Sequence, residues 1–279
     1  MKIGACSFAF GPKPLREAGQ IIKGFGFDFM DLGVCLGNTQ IHPLEAAERP
    51  EQTALEAMKI LEQLELQPDE CFVLDFGEPI NHPEEGIRKE TRRRFPGLVR
   101  FASKVGCRSV MLIPGIVHPD LGRNLSLELA IQELRELVKI SDEAGIFLNV
   151  EPCEPSVAEK PQDAITLCQE VPGLGLTLDY SHFIDPGYDQ AAVEPLHQFT
   201  RHLHARQASP GRRVESVEQG TIDFSRIMSL FRQQRFEGNI VVEYVDCEVT
   251  RQCDVDVMTE TPKMKHVLDS LIQNEPSAT

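Results

Sequence analysis

Short apolar runs alternate with longer stretches whose apolar residues recur at helical spacing, and this rhythm repeats eight times along the 279 residues. The runs predict strands in "KIGACSF", "FDFMDLGV", "CFVLDF", "SVMLIPG", "IFLNVEP", "LGLTLDYS", "RHLHARQ" and "NIVVEYV". The amphipathic stretches predict helices over Leu15 to Lys23, Glu51 to Leu64, Pro83 to Val105, Ser126 to Ala144, Pro161 to Glu170, Asp189 to Leu196, Asp223 to Gln234 and Asp256 to Gln273. Ser126 and Asp223 read as helix N-caps and Gly145 as a helix stop. Eight strand–helix units in a chain of this length predict an α/β fold, a (β/α)8 barrel filling a single domain over 1–273, with a frayed tail over 274–279. An open sheet built for a dinucleotide would need G-x-G-x-x-G after its first strand, and "FAFGPKP" does not supply it.

A barrel of this kind carries its chemistry where strands end and loops begin. Four consecutive strands end in Glu151, Asp179 with His182 close behind, His204 and Glu243. Strand alternation sends Leu148, Val150, Leu176, Leu178, Leu203, Ala205, Ile240 and Val242 toward the helices. The opposite sets, which include Asn149, Glu151, Thr177, Asp179, His202, His204, Arg206 and Glu243, then face the axis. Gathering carboxylates there is costly, because burial and like charge both oppose ionisation. A divalent cation offsets both costs. Two Glu, one Asp and one His form an oxygen-rich set suited to one Mn²⁺, Mg²⁺ or Co²⁺ ion, with Zn²⁺ also accepted. His202, one layer deeper, reads as a satisfied core histidine or a partner standing behind the ligands.

Composition narrows the partners. A net charge of −15 and a pI near 5 oppose nucleic-acid binding. The one dense basic run, Arg88 to Arg94, reads either as a solvated helix face or as a phosphate anchor. The eight cysteines include no C-x-x-C pair and read as reduced thiols of a cytoplasmic protein; Cys247 and Cys253 lack the second pair that a metal knuckle needs. The N-terminus reads as a first strand, not a secretory signal, and no apolar stretch approaches a membrane span.

With these residues in view, the chain resembles the xylose isomerase-like barrels, in the branch of sugar and sugar-phosphate isomerases and epimerases that includes the ketose 3-epimerases. The resemblance spans the eight units. It is carried by "NVEPCE" (Glu151, Glu154), "LDYSH" (Asp179, His182), "HLHARQ" (His204), "GTIDF" and "VVEY" (Glu243). It implies that Glu151, Asp179, His204 and Glu243 hold one divalent metal, that His182 touches a substrate oxygen, and that the protein acts on a small sugar, with a homodimer allowed. A metal bridging adjacent carbonyl and hydroxyl oxygens would hold an enediolate while Glu151 and Glu243 serve as acid and base, giving epimerisation or aldose–ketose isomerisation.

Substrate selection falls to loop residues. The candidates are Arg206, Glu154, His118 and Arg212, with Arg123, Arg213, Asn38 to His42 and Glu78 to His82 behind them. An inosose-type dehydratase would share the early steps and stands as the alternative. An endonuclease IV-like phosphodiesterase fits less well, since strand four ends "LIPG" without a preceding His and "VESVEQG" replaces an Asp-x-His loop. A sugar-binding barrel without turnover is a further reading.

Overall fold

The computed structural model describes residues 1–35, 40–74, 76–246 and 254–273. Asn38, Cys247, Cys253 and the tail over 274–279 therefore lie outside the described residues. The strands are β1 (Ile3–Cys6), β2 (Phe29–Val34), β3 (Gln67–Val73), β4 (Ser109–Leu112), β5 (Phe147–Val150), β6 (Gly175–Asp179), β7 (Thr200–Ala205), β8 (Gln207–Ser209), β9 (Arg212–Glu215) and β10 (Asn239–Val242). Eight of them close into a parallel barrel in the order β1-β10-β7-β6-β5-β4-β3-β2, while β8 and β9 form a separate antiparallel pair. The expected (β/α)8 barrel is thus present.

The helices are α1 (Leu15–Gly24), α2 (Pro43–Glu48), α3 (Pro50–Leu64), α4 (Glu85–Val105), α5 (Gly122–Glu143), α6 (Pro161–Glu170), α7 (Ser181–Ile184), α8 (Gln190–Val193), α9 (Phe224–Gln233) and α10 (Val257–Gln273). None of them is long and apolar enough to cross a membrane. Asp223 caps α9 by accepting from the Arg226 amide at 3.0 Å, and Gly145 follows the end of α5 at φ +69°, as expected of a stop residue. Ser126 does not cap. The helix starts at Gly122, and Ser126 sits fully buried one turn inside it, accepting from the His118 amide and donating to the Gly122 carbonyl.

Strand three also begins earlier than its apolar run, at Gln67, so Asp69 and Glu70 enter the barrel wall. Their charge concealed the strand in the sequence. Both are buried because the interior supplies partners: Asn239 donates to Asp69 at 2.7 Å, and Ser109, Asn149 and Thr177 donate to Glu70 at 2.6–2.7 Å. Such groups enter a core only when so satisfied.

The helix-facing alternation holds, with Leu148, Val150, Leu176, Leu178, Leu203, Ala205, Ile240 and Val242 each about 1% exposed or less. On the outer layer, α4 passes so close to α2 that a Cβ on Gly97 would stand 1.8 Å from the Ala47 carbonyl oxygen. The basic run lies on this helix and is matched internally. Arg88 and Arg92 both engage Glu133 of α5 and Glu85, while Arg93 and Arg94 engage Glu90. The thiols of Cys6, Cys71, Cys107, Cys153 and Cys168 are buried and form no disulfide.

Candidate active site

The predicted strand-end residues meet at one end of the barrel. Asp179 closes β6, and His204 lies opposite it in β7. Glu151 and Glu243 each stand one residue past a strand, yet each continues the ladder: the Glu151 amide donates to Leu112 O and the Glu243 amide to Ala205 O, both at 3.1 Å. The ladder fixes where both side chains leave the backbone, and all four residues are almost fully buried.

Their polar atoms form two overlapping groups that share Glu151. In one, His204 Nδ1 lies 2.9 Å from Glu151 Oε1 and 3.4 Å from Glu243 Oε2. In the other, Glu151 and Asp179 sit with His182, whose Nε2 is 3.9 Å from Glu151 and 3.8 Å from Asp179. Within each group the candidate donor atoms lie within 4.8 Å of one another. Arg206 bridges the groups. Its guanidinium is 2.7 Å from Asp179 and 3.5 Å from Glu243, donates to the Ser181 hydroxyl at 2.9 Å, and faces His182 Nε2 at 3.2 Å.

Burial and the Glu243 charge raise the Glu151 carboxyl to about 7, against the pull of His204. Burial pushes Glu243 the same way, but the His204 imidazolium and the Arg206 guanidinium outweigh it and hold Glu243 below the usual carboxylate range. Two neighbouring glutamates are thus driven apart, the arrangement expected of an acid–base pair. Burial opposes charge on His204 as well, yet Glu243, Asp31 and Glu151 together keep its pKa well above that of free imidazole. His182 goes the other way. Burial, Arg206 and Arg213 hold it neutral.

A cavity of about 410 Å³ opens above these groups. Phe8, Phe72, Leu74 and Ile113 form an apolar wall, and Glu151, His182, Arg206 and Glu243 form the polar floor. At the rim the β8–β9 hairpin turns at Gly211, whose φ of +81° a side chain would strain, and carries Arg213 over the opening. Arg213 is steadied there by Asp185 at 3.1 Å and Glu154 at 3.3 Å.

Of the sequence candidates for substrate contact, His182, Arg206 and Glu154 line this cavity, and so does Arg213. His118 and Arg212 are not among its lining residues. His118 Nε2 is held by the Asn81 carbonyl at 3.1 Å, and Arg212 pairs with Glu215 and Asp254. Arg123 is bound by Asp163 and Glu159. Buried Asn81 ties its loop to Ile116 and Ser126, Gln40 hydrogen-bonds to Ser7, and His42 caps α2.

One site residue escaped the sequence reading. Asp31 of β2 is fully buried, and its Oδ2 lies 2.8 Å from His202 Nε2 and 3.2 Å from His204 Nε2. Burial raises its pKa, but His202 and His204 prevail and bring it to about 2. The signal was available: Asp31 stands in "FMDLGV" as a charge inside an apolar strand, as Asp179 does in "LTLDYS".

Comparison with known proteins agrees with this architecture. The family model described as "Xylose isomerase-like TIM barrel" matches residues 20–271, and the chain belongs to that family. No curated protein matches the chain by sequence. Among solved structures, a D-tagatose 3-epimerase-like protein superposes with a TM-score of 0.76 at 18% identity, covering 98% of this chain and 97% of its own. The 3-keto-D-glucoside 4-epimerase YcjR from E. coli gives 0.71 at 17% identity, with 97% and 99% covered. The IOLI protein, crystallised with a zinc atom, gives 0.75 at 15% identity, with 99% and 100% covered.

Proposed function

We propose that the chain is a divalent-metal-dependent sugar isomerase or epimerase in which Glu151 and Glu243 act as the acid–base pair and share the metal with Asp179 and His204. The observation that carries this reading is the pair itself: two buried glutamates that meet at His204 Nδ1, at 2.9 and 3.4 Å, pushed to opposite sides of their ordinary pKa, on the floor of a sugar-sized cavity. The donor set fits a hard cation. Three buried carboxylates with an imidazole and one guanidinium leave negative charge that the protein alone does not cancel, and burial together with the Glu243 charge raises Glu151. A divalent ion there would act as a Lewis acid on a carbonyl and its neighbouring hydroxyl.

The chain's own groups supply the remainder. A glutamate carboxylate beside the reacting carbon can take a proton from the carbon next to a carbonyl and return it. If its partner delivers the proton to the opposite face, the centre is epimerised; delivery to the adjacent carbon isomerises the sugar. His182 is neutral, and its Nε2 faces the guanidinium as an acceptor, so its proton resides on Nδ1. That Nδ1 is buried with no partner among the described residues, and the ring lines the cavity in which a substrate oxygen would lie. Arg206 orders Asp179 and Glu243, while Phe8 and Phe72 give the cavity an apolar wall. Because His204 is charged and a ligand nitrogen must be bare, metal uptake at neutral pH releases a proton and tightens as pH rises.

The test is incubation of the metal-loaded protein with a panel of ketoses and their phosphates in deuterated water. Deuterium is expected at the carbon beside the carbonyl, with an epimer or aldose as product. Loss of water from the substrate would move the assignment to a dehydratase, and a protein that neither takes up metal nor exchanges hydrogen would contradict it.

A further inference from the structure

The groups directly below the proposed ligands form a second polar layer, and its arrangement bears on His204. The imidazole uses its two nitrogens on opposite sides: Nδ1 faces Glu151 and Glu243, and Nε2 faces Asp31 Oδ2 at 3.2 Å. Asp31 comes from β2, which is not adjacent to β7 in the barrel order, so its carboxylate reaches His204 across the barrel interior. Its other oxygen is fixed, since Oδ1 accepts the backbone amide of Glu70 at 3.0 Å. Its second imidazole contact, to His202 at 2.8 Å, completes the set. A fully buried carboxylate without partners would be strongly unfavourable, and here the Glu70 amide holds Oδ1 while Oδ2 meets two ring nitrogens.

We infer that Asp31 is a positioning residue that holds His204 as the Nε2–H tautomer and thereby presents a bare Nδ1 to the divalent metal. The inference rests on the metal reading given above. A carboxylate behind a metal-bound histidine fixes ring orientation and tautomer in this way generally. It also makes a definite demand on the amide isostere. In Asp31→Asn the Glu70 amide still needs an acceptor, so the carbonyl oxygen stays at the Oδ1 position and the NH2 falls at Oδ2. An NH2 there faces His204 Nε2 as a donor and drives the proton to Nδ1, the nitrogen the metal needs. Glu70 is a less direct control, but Thr177→Val removes only a hydroxyl bonded to Glu70 and leaves His204 untouched.

The experiment measures Mn²⁺ and Zn²⁺ affinity of the wild type, Asp31→Asn and Thr177→Val by calorimetry. In parallel, ¹⁵N spectra of histidine-labelled, Zn²⁺-loaded protein are recorded, with the His204 signals assigned by their absence in His204→Gln. The expected result is a wild type that binds one ion with His204 protonated at Nε2. Asp31→Asn should bind about 10- to 100-fold more weakly, its metal-free ring carrying the proton on Nδ1, while Thr177→Val keeps wild-type affinity. Wild-type affinity in Asp31→Asn would overturn the inference and leave the metal reading standing. The spectra of the loaded wild type decide the matter even if Asp31→Asn does not fold, because a proton found on Nδ1 there overturns the inference by itself. A wild type that binds no metal overturns the metal reading, and the inference goes with it.

Discussion

Glu151→Gln and Glu243→Gln, each assayed at saturating metal with bound metal measured on the same samples, should lower turnover by about 10²- to 10⁴-fold, the range that general acid–base groups contribute. The amide keeps the volume of each side chain and much of its hydrogen bonding, so the barrel should remain folded. Glu151→Gln has a second expected consequence. The negative charge that Glu243 feels from its neighbour disappears, and with it one cause of the Glu151–Glu243 repulsion that burial amplifies. The metal-free Glu151→Gln protein should therefore be at least as stable as the wild type while being far less active. Loss of activity caused by unfolding would show the opposite pairing, and full turnover in either variant would remove the acid–base pair from the account. Deuterium exchange at the substrate carbon separates the two glutamates further: a variant that still exchanges hydrogen but yields no epimer has lost only the second proton transfer.

The other large effect is expected at Arg206. Its guanidinium is about 5% exposed, lies 2.7 Å from Asp179 and 3.5 Å from Glu243, and is the cation that both carboxylates share in the metal-free protein. Breaking a buried pair by removing one partner costs about 3–5 kcal/mol, because the other charge is left uncompensated. Arg206→Met should then lower the melting temperature of the metal-free protein by roughly 10 °C, taking about 2–4 °C per kcal/mol for a chain of this size. A divalent ion at the same carboxylates should restore part of that loss. Thermal scans with and without Mn²⁺ measure both quantities. An Arg206→Met protein as stable as the wild type without metal would show that Asp179 and Glu243 do not depend on the guanidinium.

Much of this arrangement was legible in the chain before its fold was known, and the reason is periodicity. Each strand of a parallel barrel is apolar on its helix-facing side, so a charged residue at a strand end, as at Asp179 after Leu176 and Leu178, stands out against the run. Glu151, His204 and Glu243 are readable for the same reason, and His202 reads as a satisfied core histidine or a partner behind them. The early barrel was harder. Asp69 and Glu70 belong to a strand but resemble a turn after Pro68, since their stabilising partners Asn239, Ser109, Asn149 and Thr177 come from four other elements or their edges. Asp31 is harder to read because a single acid in "FMDLGV" has no sequence neighbour that announces its histidines; the barrel brings them together from 171 and 173 positions away. Loops were least readable. His118 and Arg212 carry the right chemistry for a substrate, yet Asn81, Glu215 and Asp254 already occupy them, whereas Arg213, one position on, is carried to the cavity by a hairpin that "QASPGRR" did not announce. Side chains in strands inherit their direction from the ladder, while loop side chains take theirs from contacts that pattern does not encode.

On the proposed function, Glu151, Asp179, His204 and Glu243 hold one divalent ion at the barrel mouth. Anomalous diffraction from crystals of the protein grown with Mn²⁺ tests it most directly. One peak bounded by those four side chains is the predicted result; a peak elsewhere in the barrel, such as between Asp31, Glu70 and His202, or none at full Mn²⁺ concentration, would contradict it.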